Sequence, residues 1–150
     1  MATLFDPTTA DSVKARLQRL DTNSARQWGK MNAAQALAHC TVAIEIALGD
    51  QRPPRMMIGR LIGGFVKRLA IGNNSPMKKN SPTAPGFVVS DERVLETERG
   101  RLLASIDRFV TAGSKGTTNH PHAFFGQMSG DEWGELMYKH MDHHLRQFGA

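Results

Sequence analysis

A chain of 150 residues is long enough to close one core, and a single cysteine, Cys40, excludes an internal disulfide framework. With hydrophobic residues at 40% and charged residues at 22%, the composition excludes a disordered or low-complexity chain, and no apolar run approaches the roughly 18 residues that a spanning helix needs. A formal charge of +5 permits phosphate partners, but only Lys67, Arg68, Lys78 and Lys79 come near one another in sequence, and no aromatic residues interleave them; no nucleic acid and no membrane partner is expected.

The N-terminal residues show no basic region followed by an apolar run, so a cytoplasmic protein without a signal peptide is expected. "TTADSVKARLQRLD" predicts a first helix, capped by Thr8 or Thr9, with Val13, Leu17 and Leu20 at helical spacing. "NAAQALAHCTVAIEIALG" predicts a second, with Asn32 as N-cap and Gly49 as stop. It is apolar on nearly every side, and only Thr41 and Glu45 leave a polar wedge, so it belongs at the centre of a bundle. Residues 54–70 predict a short additional helix with Ile58, Leu61, Ile62, Phe65 and Leu69 in one stripe; Gly63 and Gly64 weaken it, and it reads as a covering helix or a lid. "NNSPMKKNSPTAPGF" is a long loop of the kind that borders sites. "SDERVLETERGRLLASIDRFVTAG" predicts a helix capped by Ser90, with Asp91 and Glu92 in its first turn, Val94 on its buried side and Gly113 at its end. "SGDEWGELMYKHMDHHLRQF" opens on a Ser129–Glu132 capping box. "GFVVS" is the only strand-like run. The expected fold is one all-α domain over residues 1–150, an antiparallel four-helix bundle.

The last helix holds half of the six histidines. At about 100° per residue, Trp133, Leu136, Met137, His140 and His144 share one face, with His143 on the flank beside Lys139. A spacing of four sets two side chains about 6 Å apart, a distance two imidazoles span to share one metal ion. Buried imidazoles without partners would each carry an unsatisfied polar atom. His39, on the apolar second helix, is the best third ligand; His120 and His122, in the loop before the last helix, compete for the place. The plainer alternatives are a core histidine bonded to a carbonyl at His39 and a chance His-x-x-x-His pair at the other end. Cys40 points about 100° away from His39 and reads as a small buried hydrophobe. Trp28 and Trp133 read as core.

"WGKMNAAQALAHC" and "HPHAFFGQMSGDEWGELMYKHMDHHLRQFG" together resemble the DinB/YfiT-like superfamily, in a bacterial branch labelled only as a domain of unknown function. The resemblance runs in order over most of the chain. It implies a four-helix bundle and a metal triad of one histidine in the second helix and an H-x-x-x-H pair in the last, which falls on His39, His140 and His144, with Gln147 at the trailing glutamine. "HPHAFFG" carries one residue more than the "HPFFG"-like stretch of that branch, so His122 has no family role. Many relatives are dimers and a few are thiol-cofactor transferases, which implies a homodimer here.

Three neutral imidazoles with an open position suit zinc, nickel or iron(II). Such a divalent metal lowers the pKa of bound water to near 7 or holds a thiol as thiolate. The expected function is therefore a metal-dependent thiol transferase or hydrolase acting on a small molecule, with a low-molecular-weight thiol among the partners. His143 and Glu45 are candidate acid–base groups, though both are expected to face solvent or a partner subunit. The alternatives are a non-catalytic bundle whose histidines or metal are structural, and surface binding through the basic segment around Arg60, Lys67 and Arg68.

Overall fold

A computed structural model describes residues 1–81 and 83–150; Pro82, in the long loop, lies outside the described residues. The chain is all-helical: α1 (Pro7–Gln18), α2 (Ala33–Leu48), α3 (Met57–Ala70), α4 (Leu95–Ala112) and α5 (Gly130–Gln147), with 3-10 turns at Pro85–Phe87 and Ser114–Gly116. There is no strand among the described residues, and "GFVVS" falls in and after the first of these turns. α2 packs against α4 and α5, and α1 against the same two helices. The core between them is built from Val13, Leu17, Leu37, Ile44, Leu102, Ile106, Phe109, Trp133, Met141 and Leu145. No described helix is long and apolar enough to cross a membrane.

Local chemistry explains the helix bounds. α1 starts one turn's cap earlier than Thr8 or Thr9: Asp6 accepts from the Thr9 amide at 2.8 Å, and Pro7 occupies the first helical position, where its missing N–H costs nothing. Leu20 is buried but lies beyond the end of the helix. There Arg99 of α4 donates to the carbonyls of Leu17 and Leu20, so a buried guanidinium closes the helix from outside. α2 has the predicted ends; Asn32 and Gln35 form a reciprocal capping box, and Gly49 takes the left-handed φ of 85° that stops the helix. Its run from Ala36 to Thr41 is buried without a break, which is the all-round burial that its composition demands. The polar wedge closes on itself, because Thr41 Oγ1 donates to the Leu37 carbonyl.

α4 begins later than its sequence signals suggest. Its N-cap is Val94, with no side-chain cap, and neither Ser90 nor Asp91 nor Glu92 takes part. Arg93 explains the shift: it bridges Asp91 at 3.0 Å and the buried Glu98 at 3.2 Å, holding residues 91–94 extended outside the helix. Val94 accordingly stands 67% exposed rather than on the buried side. α5 opens on the predicted capping box between Ser129 and Glu132.

α3 is seated the other way round from expectation. It starts at Met57, and its buried residues are Gly59 and Gly63, while Leu61, Phe65 and Leu69 of the apolar stripe are 79%, 67% and 64% exposed. A Cβ at Gly59 would come within 2.5 Å of the Phe124 carbonyl oxygen, and one at Gly63 would fall inside it; the helix lies directly on that backbone because glycine occupies both contact positions. Both ends are pinned: the Met56 amide donates to the Ala123 carbonyl, Lys67 Nζ bonds the Gln127 carbonyl and Glu132, and Lys139 of α5 donates to the Ala70 carbonyl.

Candidate metal centre

α2 and α5 bring three histidines to one point. The ring centroids of His39, His140 and His144 form a near-equilateral triangle with sides of 4.9, 4.9 and 4.7 Å. One ring nitrogen from each lies within 4.8 Å of the others. α5 contributes two because residues four apart lie one above the other on a helix, and α2 contributes one from the stretch buried on every side.

Two of the tautomers follow from hydrogen bonding. His39 Nδ1 lies 2.8 Å from the Phe87 carbonyl oxygen, which only accepts, so Nδ1 carries the proton and Nε2 a lone pair. His144 Nδ1 lies 2.8 Å from Gln147 Oε1 and donates in the same way. The Gln147 side chain is oriented in turn, since its Nε2 donates to the Trp28 carbonyl at 2.8 Å. Gly29, at a left-handed φ of 79°, turns the chain tightly beside that amide. His39 Nε2 stands 3.0 Å from His140 Nε2, while His140 Nδ1 is sealed from water with no partner. Each outer ring thus has one nitrogen spent on a fixed oxygen and the other aimed inward, the arrangement that orients metal-binding imidazoles.

The site favours neutral rings. Burial lowers the pKa of all three; for His144, burial and then the neighbouring His39 take it to about 3. His140 falls well below the usual value, through burial first and then His144 and His39. Neutral imidazole is the ligating form, so burial presents three ready donors at pH 7. The donor set therefore fits a divalent metal that prefers nitrogen, and fits poorly with calcium or magnesium, which take oxygen.

The competing histidines are otherwise engaged. His120 Nε2 donates to the Pro53 carbonyl at 2.9 Å. His122 Nδ1 accepts from the Phe124 and Phe125 amides at 3.1 and 3.0 Å, folding residues 122–126 into a tight turn, and its ring stacks on Phe125. His143 is half-buried rather than turned to solvent, with its ring tilted against Trp28 at 5.3 Å and edge-on to His144 at 5.1 Å. Glu45 is tied to Gln51 near the end of α2. Cys40 is fully buried, and burial pushes its thiol far up, so it stays protonated. Trp133 is core, but Trp28 is only half-buried, with Lys79 lying 4.6 Å over its ring.

The long loop does border the site: Lys79 covers Trp28, and the Phe87 carbonyl anchors His39. That carbonyl had no sequence signal, since a main-chain oxygen is the same in every residue. Gln147 did have one, lying three residues after His144 on the same helix.

The chain matches the family described as "Protein of unknown function (DUF1569)" over residues 5–150. It belongs to that family. All three histidines and the Gln147 anchor of this DUF1569 protein lie within the matched span. Comparison with curated proteins and with solved structures gives no match.

Proposed function

We propose that this DUF1569 protein is a metal-dependent enzyme in which His39, His140 and His144 hold one divalent ion, zinc, nickel or iron(II), and activate a thiol or water for transfer or hydrolysis. The observation that carries this reading is the triangle of rings, in which His39 and His144 are locked by the Phe87 carbonyl and by Gln147 with their second nitrogens turned inward. The bound ion would supply Lewis acidity, which lowers the pKa of a coordinated water or thiol. The chain's own part is orientation and exclusion. The Phe87 carbonyl and Gln147 hold two rings in place, and the apolar body of α2 keeps bulk water from the donors. His143, beside His144, is placed to take or give a proton.

The packing of α1 and α2 each against α4 and α5 supports assignment to the DinB/YfiT-like superfamily and an antiparallel four-helix bundle. On the same resemblance we propose a homodimer and a small-molecule substrate, with a low-molecular-weight thiol as one candidate, and on the N-terminal sequence pattern a cytoplasmic location.

A second reading has one observation in its favour. The 3.0 Å separation of His39 Nε2 and His140 Nε2 is also that of a direct hydrogen bond between the rings, which would serve a non-catalytic bundle. Elemental analysis of tag-free protein separates the two. The enzyme reading expects about one ion per chain, lost in His144→Ala with the helical signal retained. Metal-free wild type whose melting temperature ignores a chelator would leave only the structural role. Gln147→Ala is expected to weaken the ion by about 10- to 100-fold, because it frees the His144 ring without removing a donor. Unchanged affinity in a metal competition titration would show that Gln147 does not orient the site.

A further inference from the structure

The outward face of α3 is the largest apolar feature that the packing leaves uncovered. Ile58, Leu61, Ile62, Phe65 and Leu69 fall on one side of the helix, and all five are exposed, from 44% at Ile62 to 79% at Leu61. Met57, 82% exposed, extends the feature at the start of the helix. The face is displayed by construction. Gly59 and Gly63 press the opposite side onto the Phe124 backbone, while Lys67 and Lys139 pin the helix in that rotation. A turn of the helix that hid the stripe would break these contacts.

Charge selects what covers it. Between Gln51 and Ser90 the sequence has seven lysines and arginines and no aspartate or glutamate. All of the chain's positive excess lies in this segment, since the remainder has more acidic than basic residues. Lys67 is spent on Glu132, but Arg68, which borders the stripe beside Leu61 on α3, forms no ion pair among the described residues, and Arg60 lies on the side away from the stripe. An apolar stripe with an unpaired cation at its edge, in a segment without acids and on a helix too short to span, is the pattern of a helix lying in a membrane interface. A second copy fits less well. Face-to-face pairing of two such helices would bring two copies of this basic segment together, with no acid in either to meet the other.

We propose that α3 docks this protein on an anionic phospholipid surface, with Leu61, Phe65 and Leu69 entering the acyl boundary and Arg68 meeting lipid phosphates and carboxylates. The sequence expectation of no membrane partner follows from scattered charge without interleaved aromatic residues; the exposed stripe and the segregated charge favour the opposite reading. This docking is independent of the metal centre.

The test is co-sedimentation of the full chain with vesicles of phosphatidylcholine alone or mixed with phosphatidylserine, in low and high salt, alongside sedimentation velocity without lipid. The expected result is partitioning at least about tenfold stronger on the anionic vesicles and weakened by salt. Leu61→Ser with Phe65→Ser should abolish it. Both positions are exposed, so the fold should hold, as circular dichroism would check. Arg68→Gln should weaken only the preference for anionic lipid. Failure to bind either vesicle would overturn the proposal, as would binding unchanged in the serine variant. So would a dimer in lipid-free solution that the serine variant dissolves, which would assign the face to a second copy.

Discussion

Gly63→Ala is expected to detach α3 while leaving the other four helices folded. The added methyl falls inside the Phe124 carbonyl oxygen, and since that atom is main chain it cannot swing aside. Overpacking of this kind costs about 1–3 kcal/mol or more, whereas the gain in helix propensity from glycine to alanine is only about 1 kcal/mol, so the steric term wins. α3 has little else with which to absorb the loss, because its large apolar side chains from Met57 to Leu69 face mostly outward and its remaining ties are the small contact of Ala70 and a few polar bonds at the ends. Gly64→Ala is the control. Nothing lies within 4 Å of a Cβ there, so this variant should gain the propensity and lose nothing. Limited trypsin digestion reads the difference: cleavage at Arg60 and Arg68 should quicken by at least about tenfold in Gly63→Ala and slow in Gly64→Ala. Equal digestion of the two variants would mean that α3 does not depend on its glycine face.

The seating of α3 also shows where sequence reasoning reaches its limit. Hydrophobic spacing located the stripe from Ile58 to Leu69 correctly, but spacing reports which residues share a face, not whether anything covers it. Two glycines read as weakness turned out to be the docking surface, because close backbone approach is a property of two segments at once. α2 and α5 were legible to their ends because their caps, Asn32 with Gln35, Gly49, and Ser129 with Glu132, are local chemistry. α4 was misjudged at its start for a related reason. Asp91 has the composition of a first helical turn, yet Arg93 draws both it and Glu98 into ion pairs that the spacing alone does not reveal.

The same division runs through the candidate site. His140 and His144 were readable as a pair from one helix, and His39 as a polar residue where burial demanded a reason. The groups that aim these rings were less visible: the Phe87 oxygen belongs to the backbone, and Trp28 serves Gln147 through its carbonyl rather than its indole. The charge segregation between Gln51 and Ser90 was legible, but only when charge is summed by window rather than over the whole chain.

Metal-free protein is expected to lose most of its stability between pH 6.5 and 4. An unfolded histidine titrates near 6.5, whereas burial holds His122 down to about 4 and His144 to about 3. Above pH 6.5 these groups are neutral in both states and contribute no pH dependence. As pH falls below that, the unfolded chain takes up protons that the folded rings refuse, so the balance tilts toward unfolding. Each group costs about 1.4 kcal/mol per pH unit across its window, or roughly 3 kcal/mol apiece by pH 4. His39 and His140 are shifted in the same direction and add to the loss. The sum approaches the whole of the ~5–15 kcal/mol that stabilises an ordinary domain. Urea midpoints of chelator-treated protein should therefore be level from pH 8 to 7 and drop steeply toward pH 4. His122→Asn, whose side-chain oxygen can still accept from the Phe124 and Phe125 amides, should make the slope shallower by about one proton. A midpoint that stays level down to pH 4 would mean that these rings are already solvated in the folded chain, and the buried triangle would go with them.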